Sequence, residues 1–477
     1  MMQKSRRIYL LDPKDLNPEV IAVTFAMTSR SPKPFDEIAA ELTDESSAQF
    51  HEKWVIGYGH ASVAEHAVLH FALENVSRLA IETIEGNRLA SYTEKSTRYQ
   101  VWDQDAYYIP DELLGHPLED DYSQCCQHLF QTYLNCMPKV ENWLKSTNIQ
   151  EEEESHKAYN RRMHAAAADI CRFLLPSAAL ANVGVTINAR ALEYAICKML
   201  SSPLMEVQAI GKELRKVGRS ETPTLIKYAK CNDYLLSTRE NMHQKSQQIN
   251  SDSDARNFSI LSWDVDGEDK ILAAILFRFG DQVDFRSCLN FVTDLDETEK
   301  RMLLKELMET RGKFDQPLRE FEFTHMSFES VMDQGAYFEF KRHRMMTQTV
   351  QPLSAKLGFA IPRGITESGC GAVYLQAMRG AADLYRCIAA WNPDVASYVI
   401  PNGFNRRVLF DMNLREAFHF CRLRAAENAH FSIRRVAQQV VESIWEIYPL
   451  LGQYLDVLES ETSQGLEAQY FSDLQAF

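Results

Sequence analysis

The sequence has no cysteine pair at metal-chelating spacing, no long apolar run and no excess of positive charge. Its ten cysteines form no Cys-x-x-Cys motif, and the adjacent Cys125 and Cys126 do not have chelating spacing, which argues against a zinc site. We therefore expect reduced thiols in a cytoplasmic protein and no bound metal. No apolar run reaches the length of a membrane-spanning helix, and the charged N-terminal stretch lacks the apolar core of a secretory signal.

The net charge of −15 makes nucleic acid and anionic membranes unfavourable partners. A phosphorylated small ligand would then need a local cluster of arginines that works against the overall field. With 477 residues, 45% of them apolar, the chain has ordinary globular composition and room for two or three domains.

The chain contains an internal repeat. A proline is followed twelve residues later by an asparagine and then by an arginine, first as Pro176, Asn188 and Arg190 and again as Pro401, Asn413 and Arg415. A polar stretch poor in apolar residues separates the halves. We predict two diverged copies of one domain, at residues 1–232 and 259–477, with a linker at 233–258.

Polar groups gather at the start of a short strand–helix segment in the first half. His60, Ser62 and Glu65 lie within six residues, and residues 67–73 alternate like a strand. Ser62 and Glu65 fit a helix capping box, which is a complete structural explanation for these two residues but leaves His60 unexplained. Further upstream, residues 8–27 have the alternation of a strand.

Glu94, Ser96 and Arg98 follow at every second position. In an extended chain these side chains would point to one side. Serine and arginine together can hold a phosphate, and glutamate can accept a hydrogen bond from an imide or hydroxyl. The alternative is the polar outer face of a strand or loop.

Cationic groups concentrate in the second half. Arg342, His343 and Arg344 occur in a stretch with helical pattern, where a solvated helix face is the ordinary interpretation. Arg415 and His419 are four residues apart and share the face of a later helix, and Arg424 falls near its end. Arginines beside apolar residues either extend to solvent or meet an anion, and spacing alone does not separate these alternatives.

Taken together, these motifs resemble the flavin-dependent thymidylate synthases. That family combines a Gly-His-x-Ser/Thr-x-x-Glu-His segment, an Arg-His-Arg triplet, an Asn-Glu-x-Ser-x-Arg-Tyr run and a C-terminal pair of arginine-bearing helices. The first half matches at His60, Ser62, Glu65, Glu94, Ser96, Arg98 and Arg172. The second half matches at Arg342, His343, Arg344, Asn413, Arg415, His419 and Arg424.

The two halves have lost complementary parts of the pattern. Met199 stands in the first half where the second has Arg424, and Ser397 stands in the second where the first has Arg172. Family members assemble each site across the subunits of a homotetramer. The resemblance therefore implies one composite site between the copies, and a homodimer that mimics a homotetramer.

The resemblance also implies a fold and an activity. Each half would be an α+β domain with an antiparallel or mixed sheet and long helices. The activity would be FAD-dependent reductive methylation of dUMP, with methylenetetrahydrofolate as carbon donor and NADPH as reductant. One departure is Glu339, which stands where the family has glutamine and would disfavour an anionic ligand nearby.

The resemblance further implies a role for each matched residue. Arg424 and Ser96 would act in catalysis, and the nucleotide would be bound by Glu94, Ser96, Arg98, Arg172, Arg342 and Arg424. The flavin would be bound by His60, Ser62, Glu65, Arg342, His343, Arg344, Asn413, Arg415 and His419. The alternatives are methylation of another pyrimidine nucleotide or of a base in RNA, and a flavin- or nucleotide-binding paralogue without catalysis.

Overall fold

A computed structural model describes residues 7–98, 100–250, 257–458 and 460–472 of the chain. The described residues form α-helices and two antiparallel sheets, which confirms the α+β prediction. They divide into two compact units. The first unit comprises the described residues of 1–95, 108–114 and 180–250, and the second those of 96–107, 115–179 and 251–477.

The elements of the first half of the chain, in order, are α1 (Pro18–Met27), α2 (Phe35–Glu41), α3 (Asp44–Phe50), β1 (Val68–Ser77), α4 (Arg78–Glu85), β2 (Ala90–Glu94), α5 (Glu119–Thr147), α6 (His156–Cys171), β3 (Leu180–Asn188), α7 (Ala189–Leu200), α8 (Met205–Glu221) and α9 (Asp233–Ser246). Shorter turns of 3₁₀ helix lie at Ala61–Glu65, Asp111–Leu113 and Arg172–Leu174, and a π-helical turn lies at His51–Gly57.

The elements of the second half are β4 (Phe258–Trp263), α10 (Gly267–Phe279), α11 (Phe285–Asp294), α12 (Glu297–Met308), β5 (His325–Asp333), α13 (Gln334–Phe340), β6 (Thr347–Val350), α14 (Arg363–Glu367), α15 (Gly371–Ala389), α16 (Pro393–Ala396), β7 (Asn405–Asn413), α17 (Leu414–Arg424), α18 (Phe431–Ile447), α19 (Pro449–Gly452) and α20 (Ser463–Tyr470). Here 3₁₀ turns lie at Arg319–Phe323 and Ser397–Val399.

The first unit is built on a three-stranded sheet in the order β1-β3-β2. Every second residue of β3 is buried, and these residues are apolar: Ala181, Val183, Val185 and Ile187. Because strand side chains alternate between faces, one face of this sheet forms core. The strand predicted over residues 67–73 is confirmed in β1.

The strand predicted for residues 8–27 is wrong, since Pro18–Met27 forms α1. Asn17 accepts a hydrogen bond from the amide of Val20 at 2.8 Å, and Pro18 takes the first helical position. Asparagine before a proline is an effective helix start, because the cap satisfies a free amide and proline lacks the donor that would go unpaired there.

The second unit is built on a four-stranded sheet in the order β4-β5-β7-β6. Its core is aromatic: the rings of Phe328 and Phe410 stack at 5.2 Å, and Phe340 of α13 meets Phe410 edge-on at 4.8 Å. This packing fixes the C-terminal end of α13 against the sheet. It thereby positions the polar residues that adjoin that end.

The repeat is visible in how the helices begin. In each half, two strands run directly into helices, and the last strand residue caps each one. Ser77 caps α4, Asp333 caps α13, Asn188 caps α7 and Asn413 caps α17, each accepting from an amide three residues on at 2.8–3.0 Å. Short polar side chains are required there because they satisfy an amide that the helix leaves free.

The compact units do not coincide with the sequence halves, because α5 and α6 of the first half belong to the second unit. The predicted linker at 233–258 contains α9, none of whose residues is buried, and residues 251–256 lie outside the described chain. The exact domain limits stay a prediction. Within the described residues, no helix combines the length and apolarity needed to cross a bilayer.

Candidate active site

Five charged side chains in the second unit form one connected cluster: Arg98, Asp169, Arg172, Glu339 and Arg424. Each lies where an element ends. Arg98 is in the turn after β2, Asp169 and Arg172 adjoin the end of α6, Glu339 is in the last turn of α13, and Arg424 is the last residue of α17. Helix ends and turns therefore bring both sequence halves to one site.

Glu339 lies between two arginines. Its Oε1 is 3.0 Å from Nη2 of Arg172, and its Oε2 is 3.2 Å from Nη1 of Arg424. Burial alone raises the pKa of the Glu339 carboxyl, but Arg172, Arg98 and Arg424 more than reverse this, so its pKa lies below the ordinary value. Glu339 is therefore an anion that two guanidinium groups share.

Arg98 is held by a second carboxylate. Its Nε lies 2.9 and 3.1 Å from the two oxygens of Asp169, its Nη2 lies 2.9 Å from Oδ2, and Nη2 also donates to the carbonyl of Asn428 at 3.2 Å. Burial raises the pKa of Asp169 despite the opposing charges of Arg172 and Arg98. Within this cluster three arginines thus face two carboxylates.

A chain of hydrogen bonds orients Arg424. Its Nε donates to Nε2 of His343 at 2.9 Å, and Nδ1 of the same ring lies 3.2 Å from Oε1 of Glu416. Since Nε2 accepts, the imidazole carries its proton on Nδ1 and donates it to Glu416. Burial lowers the pKa of His343, and the charge of Arg424 adds to this effect, so the ring stays neutral.

His430 is a buried member of the cluster that the sequence motifs did not indicate. Its Nδ1 accepts from the amide of Ser432 at 3.1 Å, so its Nε2 donates to the carbonyl oxygen of Asp169 at 3.0 Å. Complete burial, together with the charge of Arg172, places the pKa of His430 well below the ordinary value. The only sequence signal was the polar residue immediately before α18, a cap position.

The helical interpretation of Arg342, His343 and Arg344 is wrong, because α13 ends at Phe340 and the triplet lies in the turns that follow. His343 is buried in the cluster, whereas Arg342 is exposed. Arg342 is close enough to Arg424 that its charge, after burial, helps to lower the pKa of the Arg424 guanidinium.

The extended arrangement expected for Glu94, Ser96 and Arg98 is also wrong. β2 ends at Glu94, and Arg98 lies in a turn in which its amide donates to Oγ of Ser96 at 3.2 Å. Glu94 belongs to the first unit, where its carboxylate is buried 3.6 Å from Nη1 of Arg78. The alternation was interrupted because serine formed a local turn instead of extending the strand.

Three further candidates lie on or next to α17. Asn413 caps the helix, and Arg415 donates to the carbonyl of Pro317 at 2.8 Å and to Glu322 at 3.0 Å. The His419 ring centre is 5.7 Å from that of His343. Arg415 and His419 both lie on α17, which confirms the predicted helix, and their spacing of four residues puts them on one face of it.

The first unit contains a separate cavity of about 340 Å³. Arg30 lies over the ring of Trp54, with its guanidinium carbon 3.9 Å from the ring centre. The lining is Phe25, Ala26, Ser29, Arg30, Phe50, Trp54, His60, Ser62, Val63 and His66. Two of the predicted flavin-binding residues, His60 and Ser62, therefore adjoin aromatic rings and a cation.

The capping-box interpretation of Ser62 and Glu65 is wrong. The segment is a 3₁₀ turn whose preceding residue, His60, makes no side-chain cap. Glu65 instead forms an exposed ion pair with Arg190. Sequence reasoning missed Arg30 because residues 29–32 have the composition of an ordinary turn, and it missed Trp54 because this residue lies outside the matched motifs.

The residues around this cavity fit part of a flavin dinucleotide. A planar ring system can stack on a phenyl face, whereas Trp54 already has Arg30 over its ring and Tyr58 stacked on it at 4.9 Å. The hydroxyl, imidazole and guanidinium groups offer donors to phosphate or carbonyl oxygens. Within the described residues, no group of three or more histidine, cysteine, aspartate or glutamate side chains is arranged to hold a metal ion.

Comparison with known proteins identifies the family. A family model described as thymidylate synthase complementing protein matches residues 10–224 and again residues 261–450. The chain belongs to this family. The double match corresponds to the tandem duplication predicted from the spacing of Pro176 and Pro401 and their following residues.

Relatives of two lengths match this duplicated chain. A UPF0159 protein of Chlamydia muridarum is 29% identical over 89% of this chain and 84% of its own length, and a UPF0159 protein of Thermoplasma acidophilum is 26% identical over 88% and 90%. A protein named flavin-dependent thymidylate synthase, from Clostridium tetani, is 27% identical over 45% of this chain and 82% of its own length. The last protein thus corresponds in length to one copy.

Proposed function

We propose that the protein catalyses FAD-dependent reductive methylation of dUMP to dTMP, with methylenetetrahydrofolate as carbon donor and NADPH as reductant. The observation that carries this proposal is the meeting of Arg98 and Arg172 from the first copy with Arg424 from the second around Glu339. Each copy kept the residues that the other lost. This complementarity is expected if one composite site is retained.

In this proposal the chain's own residues bind and orient the nucleotide. Arg98, Arg172 and Ser96 hold the phosphate through charge-assisted hydrogen bonds, and Arg342 adds positive charge at the exposed edge. Arg424 lies at the uracil carbonyl, where its guanidinium stabilises the negative charge that develops when C5 becomes nucleophilic. Its fixed orientation, through His343 and Glu416, avoids reorganisation during the reaction.

The flavin would be held at the cavity of the first unit, by His60, Ser62, Arg30 and the ring of Trp54. When bound, it supplies the hydride that completes the methyl group. Glu65, Arg342, Arg344, Asn413, Arg415 and His419 stay proposed cofactor-binding residues, whereas His343, buried between Arg424 and Glu416, is now proposed to act by positioning Arg424. Of these, Asn413 and Arg415 already have structural partners, so their proposed part is to support neighbouring groups.

A homodimer is the proposed assembly.

Tritium release from [5-³H]dUMP tests the proposal. Purified protein with FAD, NADPH and methylenetetrahydrofolate should release tritium and form dTMP, and omission of any one component should stop both. R172A and R424A should each abolish turnover, whereas R386A, which alters an exposed arginine of α15 paired with Asp383, should not. No release by the complete mixture would contradict the proposal.

A second candidate is methylation of another pyrimidine nucleotide. The observation that favours it is the presence of Glu339 and Asp169 among the arginines, since these carboxylates already neutralise part of the positive charge that a substrate would meet. Substituting other pyrimidine nucleotides for dUMP in the same assay distinguishes the two candidates.

A further inference from the structure

The guanidinium groups proposed to bind the substrate phosphate are already engaged by carboxylates of the chain. Glu339 contacts Arg172 and Arg424 at 3.0 and 3.2 Å, and Asp169 contacts Arg98 at 2.9 Å. The Glu339 side chain is only 7% exposed. A phosphate cannot contact the same guanidinium nitrogens while Glu339 holds both of its arginines.

Asp169 and Glu339 differ in how easily a ligand could displace them from their arginines. Asp169 binds Arg98 through three contacts. His430 donates a hydrogen bond to the main-chain carbonyl oxygen of Asp169. Glu339 makes one contact to each of two arginines and is the last but one residue of α13, next to the turn that carries the exposed Arg342. Glu339 is therefore the carboxylate that an incoming anion would replace.

We propose that Glu339 is the specificity-determining residue of the composite site: its carboxylate lies between Arg172 and Arg424 and competes with the phosphate of the nucleotide for Arg172. This inference rests on the proposed function, since it assumes a pyrimidine nucleotide as ligand. A nucleotide phosphate binds by exchanging with Glu339. The uncharged nucleoside has no phosphate to place at Arg172, so Glu339 affects its binding less than that of the nucleotide.

The charges of Glu339 and its two arginines predict the direction in which replacing Glu339 changes the stability of the protein. Replacing Glu339 by glutamine keeps the shape and leaves the buried Arg172 and the partly buried Arg424 without their shared anion, which costs stability when no ligand is present. A bound phosphate restores the lost pairing. E339Q should therefore melt at a lower temperature than the wild type in phosphate-free buffer, and inorganic phosphate should recover the difference.

Calorimetric titration of the full-length protein with dUMP, deoxyuridine and inorganic phosphate tests the proposal. Because E339Q leaves Arg172 without its carboxylate and a buried charged donor gains about 1.4 kcal/mol from a new partner, E339Q should bind dUMP about tenfold more tightly than the wild type, and deoxyuridine should change by a smaller factor. The control is E268Q, which alters a partly buried glutamate that accepts from the amide of Leu451 in the same unit and should leave all three affinities unchanged.

E339D covers the case in which E339Q does not fold. It keeps the charge, but its shorter side chain cannot reach both arginines, so its affinity for dUMP should rise by a smaller factor. Equal dUMP affinities in wild type, E339Q and E339D would overturn the proposal while leaving the methylation of dUMP intact. If none of the proteins binds either dUMP or phosphate, both this proposal and the proposed function fail.

Discussion

The Nε of Arg424 donates a hydrogen bond to Nε2 of His343 at 2.9 Å, and this bond links the last residue of α17 to the turn after α13. It requires a neutral imidazole, because a protonated ring has no acceptor to offer. Glu416 enforces this tautomer from the other side at 3.2 Å. His343 is thus a positioning residue, which acts on the substrate through Arg424.

H343A should lower dUMP turnover by at least about tenfold, because Arg424 loses the acceptor that fixes its orientation and misplaced groups lose much of their catalytic effect. H343Q should recover part of the loss, since its amide oxygen can accept the same hydrogen bond. Tritium release gives kcat and KM for dUMP, and a separate titration gives the Kd for FAD. The Kd for FAD should be unchanged in H343A. A loss confined to the Kd for FAD would contradict the positioning role.

Stability should fall as the pH is lowered from about 6.5, because His343 and His430 have pKa values below their ordinary value of 6.5. In this window the unfolded chain binds protons that the folded chain excludes, so acid favours unfolding. The contribution is fully present above pH 6.5 and is lost as the pH falls through the lowered pKa values. Thermal melts between pH 7.5 and 5.5 should show the decline.

The variant H430N isolates one of these groups. Asparagine can cap α18 in place of Nδ1 but does not titrate, so the decline below pH 6.5 should be smaller than in the wild type. Identical profiles for wild type and H430N would show that His430 does not contribute.

N413A should lower the free energy of unfolding by about 1 kcal/mol, because Asn413 caps α17 through the amide of Glu416 at 2.9 Å. The matched control lies in the other copy, where Asn188 caps α7 in the same way and N188A should cost a similar amount. N413S should recover the stability. Denaturant unfolding measures all three, and a stable N413A that loses FAD binding would assign Asn413 to the cofactor instead.

FAD should quench the fluorescence of Trp54, which lines the cavity of the first unit beneath Arg30. W54F should lack most of the quenching, whereas W391F, which alters a half-exposed tryptophan of the second unit stacked on His116, should retain it. R30A should weaken FAD binding by removing a cation from the cavity. Equal quenching in wild type and W54F would place the flavin elsewhere.

The sequence predicted the duplication and the three arginines of the cluster, Arg98, Arg172 and Arg424, but not how their side chains are arranged. Pro176 and Pro401 with their following residues marked equivalent strand–helix junctions, because capping asparagines are fixed by local chemistry. The interleaving of the halves was not predictable: α5 and α6 of the first copy join the second unit through long-range packing that leaves no periodic signal. Glu416 and His430 were missed for the same reason, since their role depends on partners distant in the chain.

The most direct test of the composite site is the turnover of R98A and R424A, separately and mixed. The two arginines come from different copies but lie in the same unit of one chain, where the charges of both lower the pKa of Glu339. Each variant should be inactive while R386A remains active, and the mixture should remain inactive, because no chain in it carries both arginines. Recovery of activity on mixing, or full activity of either single variant, would contradict a site built from both copies within one chain.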